Sequence, residues 1–439
     1  MSDVTVDAAA LPKPGADQGV DLKRYALVTA AYWGLTLTDG ALRMLVLLYF
    51  HELGYSPLQL AFLFLLYESC GIITNLVGGW AGARYGLKVT LFLGLAVQVV
   101  ALLMLSAVQP GWAVWLSIGY VMLAQALSGV AKDLTKMSSK SAVKLVVPGD
   151  AESALFKWVA VLTGSKNALK GVGFFLGGLL LATLGFAGAL WAMAGGLALV
   201  LLGSVLMLEG DFGRAKTGVK LAHVFSKSRA INLLALARVF LFASRDVWFV
   251  VALPVFLYEV LGWGFTGIGA FMAGWVIAYG LVQASAPKLI RKAGPTHGAR
   301  SAVLWGTILA VTPASIALLL YAGLNPAAVV LVGLGLFGVV FAINSALHSY
   351  LILALTDHDK VALNVGFYYM ANACGRLIGT LLSGLVYLAG GLEATLWVSA
   401  AMIAVAATSV APIGRAQPDA AKHDGHPEPL APNPDAIKD

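Results

Sequence analysis

The feature that most constrains this chain is a series of long apolar segments separated by short polar connections. A helix needs about 20 largely apolar residues to cross a bilayer. Hydrophobic residues make up 59% of the sequence and charged residues only 12%, which is unlike a soluble domain. The segments predict an all-α, polytopic membrane protein with twelve transmembrane helices. They lie near residues 26–50, 57–81, 89–108, 112–131, 155–182, 186–208, 231–257, 265–287, 301–322, 327–354, 363–389 and 392–412.

The distribution of lysine and arginine predicts the orientation. The connections that follow the odd-numbered segments contain no Lys or Arg, whereas basic residues are frequent in the others. By the positive-inside rule, both termini are predicted to be cytoplasmic. We separately expect the inner (plasma) membrane of a bacterial cell. Topology thus accounts for the net charge of +7, and we expect no nucleic-acid partner.

A long charged stretch divides the chain into two groups of six segments. Residues 209–230 form the predicted cytoplasmic linker between an N-terminal half, 25–208, and a C-terminal half, 231–413. Residues 1–24 and 414–439 are rich in Pro, Asp and Ala without apolar periodicity, so they predict disordered cytoplasmic tails. Two groups of six are typical of transporters built from parallel repeats.

The stretch GGWAGARYGLK after the second segment resembles the loop motif of the major facilitator superfamily. The matching residues are Gly79, Arg84, Gly86 and Lys88. Ala83 stands where the motif has Asp, and Leu87 stands at its second Arg position. The resemblance implies the fold of that superfamily and a gating role for the loop.

The energy source can be narrowed from missing motifs. The sequence contains no G-x-x-x-x-G-K-[ST] loop for a nucleotide, which indicates secondary transport rather than ATP hydrolysis. Cys70 and Cys374 are isolated and have no metal-ligand spacing. We therefore expect no enzyme activity, no cofactor and no metal.

Charged residues within the apolar segments point to the substrate. Each costs about 2.5–3.5 kcal/mol on insertion scales unless it is paired or hydrated. Three acids cannot neutralise six cations, so the surplus favours a hydrated cavity that receives an anion. The cations are Arg43, Lys166, Lys170, Arg238, Arg245 and Arg376, and the acids are Asp39, Glu68 and Asp246.

Helices one and seven carry the most suggestive of these charges. Arg43 and Arg245 occupy counterpart positions in the two halves, which resembles organophosphate antiporters. Asp39 lies one turn before Arg43, so the two can form an ion pair, either permanent or displaced by a substrate or a proton. Glu68 has no basic neighbour in its own helix, and it either pairs across helices or carries a proton. Asp39 and Glu68 are the predicted proton-coupling residues.

The remaining candidates lie in helices five, seven, ten and eleven. Lys166 and Lys170 share one helix face, where they bind an anion or extend to the membrane surface. Arg238 is close to a helix start and is predicted to be an interface anchor. The residues predicted to bind substrate are Arg43, Lys166, Lys170, Arg245, Asn344, His348, Asn372 and Arg376.

Several longer stretches resemble the ArsJ family of organoarsenical efflux permeases. They are YWGLTLTDGALRMLVLLYF, GVAKDLTKMSSKSAVK, GSKNALKG, FSKSRAINLLALARVFLFASRDVWFVVALPVFLY and NSALHSYLILAL. The resemblance implies efflux of 1-arseno-3-phosphoglycerate, arsenate resistance, and a functional pairing with the glyceraldehyde-3-phosphate dehydrogenase that makes this compound. Two alternatives stay open: an antiporter of ordinary organophosphates, or phosphate, and a non-transporting sensor on the same fold.

Overall fold

The computed structural model describes residues 17–85, 87–142, 152–208, 228–289, 295–355 and 361–413. These residues form eleven α-helices whose interiors are apolar. In chain order they are α1 (Asp17–Glu52), α2 (Pro57–Tyr85), α3 (Leu87–Ser106), α4 (Val114–Ala142), α5 (Glu152–Met207), α6 (Arg229–Phe249), α7 (Ala252–Glu259), α8 (Phe265–Leu289), α9 (Pro295–Tyr321), α10 (Pro326–Ala354) and α11 (Val361–Val410). Residues 209–227 of the predicted linker lie outside the described residues. Both predicted tails also lie outside them, except for residues 17–24, which belong to α1.

Within the described residues, nine segments are long and apolar enough to cross a membrane. These segments confirm that the protein is an integral membrane protein. They do not confirm the twelve transmembrane helices that the sequence predicts. The two longest, Ser165–Met207 and Phe367–Val410, contain 43 and 44 residues, about twice the length that one crossing needs. Each bends at glycine. Gly185 (φ 68°) and Gly391 (φ 65°) adopt the left-handed conformation that glycine tolerates without a steric penalty.

Helix packing follows a pattern that occurs twice along the chain. In the N-terminal part α1 packs on α5, and in the C-terminal part α6 packs on α11. Contacts of α5 with α8 and of α2 with α11 join the two parts. The helices that carry most of the predicted site residues therefore meet around the middle of the bundle.

Two glycines of α5 allow α1 to approach closely. A Cβ at Gly173 would lie 2.5 Å from the Leu37 carbonyl oxygen, and one at Gly177 would meet the Ala41 carbonyl. Contact between backbones replaces the hydrophobic drive that helices lack in lipid. The side of α1 that carries Leu37 and Ala41 therefore faces α5.

The same arrangement recurs between α6 and α11. Gly375 contacts the backbone of Val239, and Gly379 contacts that of Ala243. Each of these four residues lies 202 positions after its counterpart in the α1–α5 contact. With this register Arg245 corresponds to Arg43, as the sequence had predicted.

Replacing Gly375 with alanine is expected to destabilise the protein. The new methyl group would overlap the Val239 backbone, which cannot rotate away, so we expect a cost of about 1–3 kcal/mol. Gly274→Ala is the matched control, because nothing lies within 4 Å of a Cβ at that α8 position. Thermal unfolding of the purified protein in detergent should show a lower midpoint for Gly375→Ala alone. Equal midpoints for the two variants would contradict the close packing.

Candidate functional site

A cavity of about 160 Å³ lies among α1, α2, α4, α5 and α11. Its charged lining comprises five cations and three acids, namely Lys132, Lys136, Lys166, Lys170, Arg376, Asp39, Glu68 and Asp133. Tyr32, Thr36, Gly71, Tyr369, Asn372 and Ala373 complete it. The volume is below the roughly 300–1,000 Å³ of pockets for drug-sized ligands, so the cavity suits a compact solute. The positive surplus suits an anion.

Glu68 links the two parts of the bundle at the base of this cavity. Its Oε1 atom accepts hydrogen bonds from Arg43 Nη2 on α1 at 2.6 Å and from Arg376 Nη2 on α11 at 2.5 Å. Glu68 and Arg43 are buried, whereas the Arg376 side chain retains 19% of its exposure. Of the two alternatives for Glu68, the structure therefore has the pairing across helices. The single negative charge of Glu68 pairs with the guanidinium groups of both Arg43 and Arg376 and cannot neutralise both.

The ion pairs continue into α6. Arg376 Nε lies 3.7 Å from Asp246 Oδ2, while Asp246 Oδ1 accepts from Arg245 Nη2 at 2.5 Å and from its Nε at 2.7 Å. Within the described residues, neither Arg376 Nε nor Asp246 Oδ2 has a hydrogen-bond partner. We call Arg43, Glu68, Arg376, Asp246 and Arg245 the buried ion chain. It contains three cations and two acids and is weakest between Arg376 and Asp246.

Asp39 does not pair with Arg43, and that prediction was wrong. The Tyr67 hydroxyl donates to Asp39 Oδ1 at 2.6 Å, while the neighbouring residue Glu68 takes Arg43. Tyr67 thus binds Asp39 and Glu68 binds Arg43, so the acid and the base of α1 have separate partners on α2. The Arg43 guanidinium also lies 5.3 Å from the ring centroids of Phe64 and Tyr67. These contacts could not be derived from i, i+4 spacing, because they come from a second helix.

Both predicted lysines of α5 line the cavity. Lys166 and Lys170 share its wall with Asn372 and Arg376 of α11. Lys170 Nζ lies 5.6 Å from the ring centroid of Phe174, one turn further along α5. Because Lys166 and Lys170 line the cavity, their positions agree with anion binding rather than with extension to the membrane surface.

Three charged residues of α4 line the cavity although the sequence analysis assigned them to a loop. Lys132, Asp133 and Lys136 follow the predicted helix end at residue 131, but α4 continues to Ala142. Asp133 accepts from the Thr74 hydroxyl and, at 3.1 Å, from Lys136 Nζ. A usable signal existed, since residues 130–147 contain no Gly or Pro and the two lysines are one turn apart.

Four predicted positions do not line the cavity. Arg245 lies at the far end of the buried ion chain, where its guanidinium packs over Phe242. Asn344 and His348 are buried in α10, which packs on α8 and α9 and contributes nothing to the described lining. Arg43 reaches the cavity only through Glu68. In addition, Arg238 is buried rather than an interface anchor, because Ser345 of α10 accepts its hydrogen bonds.

The predicted loop motif is largely helical. Gly79 and Arg84 fall within α2, which ends at Tyr85, and α3 begins at Leu87. Gly86 lies outside the described residues. Lys88 belongs to α3, and its Nζ atom lies 5.7 Å from the Phe92 ring centroid. The gating role stays a prediction.

Aromatic and ionic contacts surround the C-terminal end of α1. Tyr49 of α1 stacks on Phe186 of α5 with ring centroids 3.9 Å apart. His51 Nε2 of α1 lies 3.6 Å from Glu259 Oε1 of α7, and its ring contacts Tyr258 edge to face. The His51 contacts join the first helix to the C-terminal part.

Comparisons with known proteins agree with this architecture. The family model described as Major Facilitator Superfamily matches residues 28–296 and 234–437. No match was found among curated proteins. A transporter of the POT family, solved with a thioalcohol-conjugated peptide, superposes with a TM-score of 0.68 at 13% identity, covering 87% of this chain and 94% of that one.

A second solved structure is equally similar. It is a D-xylose–proton symporter, with a TM-score of 0.67 at 13% identity, covering 90% of this chain and 97% of the symporter. Identities this low indicate a shared fold and carry no information about the solute. The first span matched by the family model covers more than half of the sequence. The chain is therefore a member of the major facilitator superfamily and a transporter of the secondary type.

Proposed function

We propose that the protein exports a small organic anion, 1-arseno-3-phosphoglycerate, and thereby confers resistance to arsenate. The observation that carries the proposal is the cavity lining, in which five cations face three acids. Arginine and lysine side chains bind phosphate and carboxylate oxygens through charge-assisted hydrogen bonds. The resemblance of the embedded segments to the ArsJ family supplies the identity of the anion.

The proposed membrane arrangement has twelve crossings with both termini in the cytoplasm. The glycine bends divide α5 and α11 into two crossings each, and α6 with α7 makes one. The proposed N-terminal half then ends before the linker 209–230, and the C-terminal half follows it. On this arrangement the cavity opens to the cytoplasm of a bacterial cell, where the substrate is made.

We propose a division of roles among the site residues. Lys166, Lys170, Asn372 and Arg376 contact the anion directly, together with the α4 residues Lys132 and Lys136, because all of them line the cavity. Arg43 acts through its bond to Glu68. Arg245 supports Arg376 through Asp246.

Asp39 is the proposed proton-coupling residue. It lines the cavity and is held by a single described hydrogen bond, from the neutral Tyr67 hydroxyl. Protonation of Asp39 therefore breaks no ion pair. Glu68, in contrast, forms ion pairs with two guanidinium groups, and its protonation would break both.

An antiporter of ordinary organophosphates is the second candidate, because it would use the same cations. No cysteine occurs in the described lining, although Cys70 and Cys374 are free thiols elsewhere. Trivalent arsenic requires soft sulfur ligands. We therefore propose a carrier of oxyanions, and the choice between phosphate and arsenate esters requires a transport experiment.

Resistance assays test the proposed substrate. In a host without other arsenic pumps, the protein is expected to raise tolerance to arsenate only when a dehydrogenase that forms the adduct is co-expressed. Tolerance to arsenite should not change. Everted vesicles supplied with the dehydrogenase, glyceraldehyde 3-phosphate, NAD and labelled arsenate should accumulate the label.

Each outcome separates the candidates. Accumulation of labelled 3-phosphoglycerate at a similar rate, without preference for the arsenate adduct, would favour the organophosphate antiporter. Arsenite resistance would contradict both. Vesicles without the dehydrogenase serve as the control for transport of free arsenate.

A further inference from the structure

The cavity lining is unequal between the two parts of the bundle. In the described lining, α1, α2, α4 and α5 contribute ten residues, whereas the C-terminal part contributes only four residues, all from α11. Helices α6, α8 and α10 contribute none. A superfamily member with two related halves would be expected to offer binding groups from both.

The repeated glycine contacts identify which residue of α6 corresponds to the cavity wall of α1. The 202-residue register that relates Arg43 to Arg245 also relates Thr36 to Arg238. Thr36 lines the cavity. Both residues precede the paired arginines by seven positions, which is two helical turns on the same face.

Arg238 is an unusual buried cation. It is 5% exposed, and its Nη1 atom donates to the Ser345 hydroxyl at 3.1 Å and to the Ser345 carbonyl at 3.3 Å. Its guanidinium carbon lies 4.1 Å and 4.7 Å from the ring centroids of Phe242 and Tyr368. No carboxylate of the described residues forms an ion pair with it, and its Nε atom has no hydrogen-bond partner there.

Polar groups near Ser345 are also incompletely satisfied. Asn344 precedes it on α10 and His348 follows one turn later, and both are almost fully buried. Within the part of the chain that the structure describes, Asn344 Oδ1 and His348 Nδ1 lack hydrogen-bond partners. A buried cation without a counter-charge is costly. A cluster of this kind does not contribute to stability. It is better explained as a group of side chains that bind an anion in another conformation of the protein.

Weak hydrogen bonds separate this cluster from the cavity. Asn167, which lies between the cavity lysines of α5, donates to Gln283 Oε1 of α8 at 3.4 Å. Gln283 Nε2 donates to the Ser345 hydroxyl at 3.5 Å. Bonds of this length are easily exchanged. Their rupture would detach Ser345, the partner of Arg238, from α8.

We propose that Arg238 is a substrate-binding residue of the C-terminal half, closed against Ser345 in this conformation and released toward the cavity when the anion is bound. The inference rests on the proposed function, because it assigns a further cation to the same anion. The chemical class it recognises is a phosphate or arsenate oxygen, approached by the planar guanidinium fork.

Export kinetics in everted vesicles test the assignment, with labelled adduct formed by the dehydrogenase. Arg238→Gln is expected to raise the apparent KM at least tenfold. Arg229→Gln is the matched control, since it removes the same charge from an exposed position of the same helix and should leave the KM unchanged. An unchanged KM for Arg238→Gln would overturn the proposal, whereas absent export by the unaltered protein would count against the proposed function instead.

Thiol labelling separates binding from structural support. In a background with Cys70→Ser and Cys374→Ser, the variant Arg238→Cys should react with a small anionic methanethiosulfonate reagent at least threefold faster during turnover than in the absence of substrate. Thr36→Cys provides the cavity-lining reference. A thiol at position 238 that stays unreactive while the one at position 36 reacts would overturn the proposal. Arg238→Lys is a second variant that keeps the proposal testable when the glutamine variant folds poorly. It keeps the positive charge but lacks the planar guanidinium group. A normal KM for this variant would also count against the assignment.

Discussion

Arg376→Ala is expected to reduce arsenate tolerance to that of cells without the transporter. Arg376 is the single arginine of the described cavity lining, and it joins Glu68 of α2 to Asp246 of α6. Breaking a buried ion pair on one side typically costs about 3–5 kcal/mol. If binding loses a comparable amount, the export rate falls by about a hundredfold or more at one factor of ten per 1.4 kcal/mol. Initial export rates in everted vesicles measure the loss.

Two further variants make this result interpretable. Arg300→Ala removes an exposed arginine from α9 and should leave export unchanged at matched expression. Arg376→Lys should recover little, because an ammonium group cannot hold Glu68 and an anion in the geometry of the guanidinium fork. Export by Arg376→Ala above a third of the normal rate would rule out the cavity as the binding site.

Glu68→Gln is expected to have the opposite effect on affinity. In the structure Glu68 occupies hydrogen-bond donors of both Arg43 and Arg376, as an incoming oxyanion would do. Neutral glutamine leaves the guanidinium groups of Arg43 and Arg376 without their acid, so the anion binds in its place. We expect the apparent KM to fall about tenfold and the maximal rate to fall as well, because release becomes slow. Substrate should also raise the thermal midpoint more in this variant than in the unaltered protein.

Asp39→Asn is the comparison that separates competition from proton coupling. It mimics the protonated acid while Arg43 keeps its partner Glu68, so the KM should stay close to normal. Accumulation driven by an imposed pH gradient should be lost. An increased KM for Glu68→Gln would show that Glu68 does not compete with the substrate. If both variants keep full pH-driven accumulation, neither acid carries the coupling proton.

The membrane class and most cavity cations were predictable from the sequence because they depend on local information. A long apolar segment indicates contact with lipid, and the charged residues Lys166, Lys170 and Arg376 are conspicuous within such segments. The correspondence of Arg43 with Arg245 was also predicted, and the repeated glycine contacts give it a structural register. The number of crossings was less accessible, since α5 and α11 continue through bends at single glycines or a glycine pair.

The partners of the charges were not predictable. Arg43 lies one turn from Asp39, yet its acid comes from α2 because the close packing of helices decides which carboxylate it meets. Lys132 and Lys136 were placed in a loop because their polarity ended the apolar segment. In the folded protein their helix borders a polar cavity, where a charged turn does not face lipid. Hydropathy describes contact with the bilayer and says little about a helix that faces water inside the protein.

The charge surplus of the cavity makes the empty carrier responsive to the membrane potential. Five cations and three acids leave two formal positive charges, which the phosphate and arsenate groups of the proposed anion more than offset in the loaded carrier. The two positive charges remain on the protein when it returns empty. An interior-negative potential draws that positive charge toward the cytoplasm, at up to about 2.3 kcal/mol per charge for 100 mV across the full field. On the proposed orientation, the potential therefore resets the exporter to the conformation that accepts the next anion.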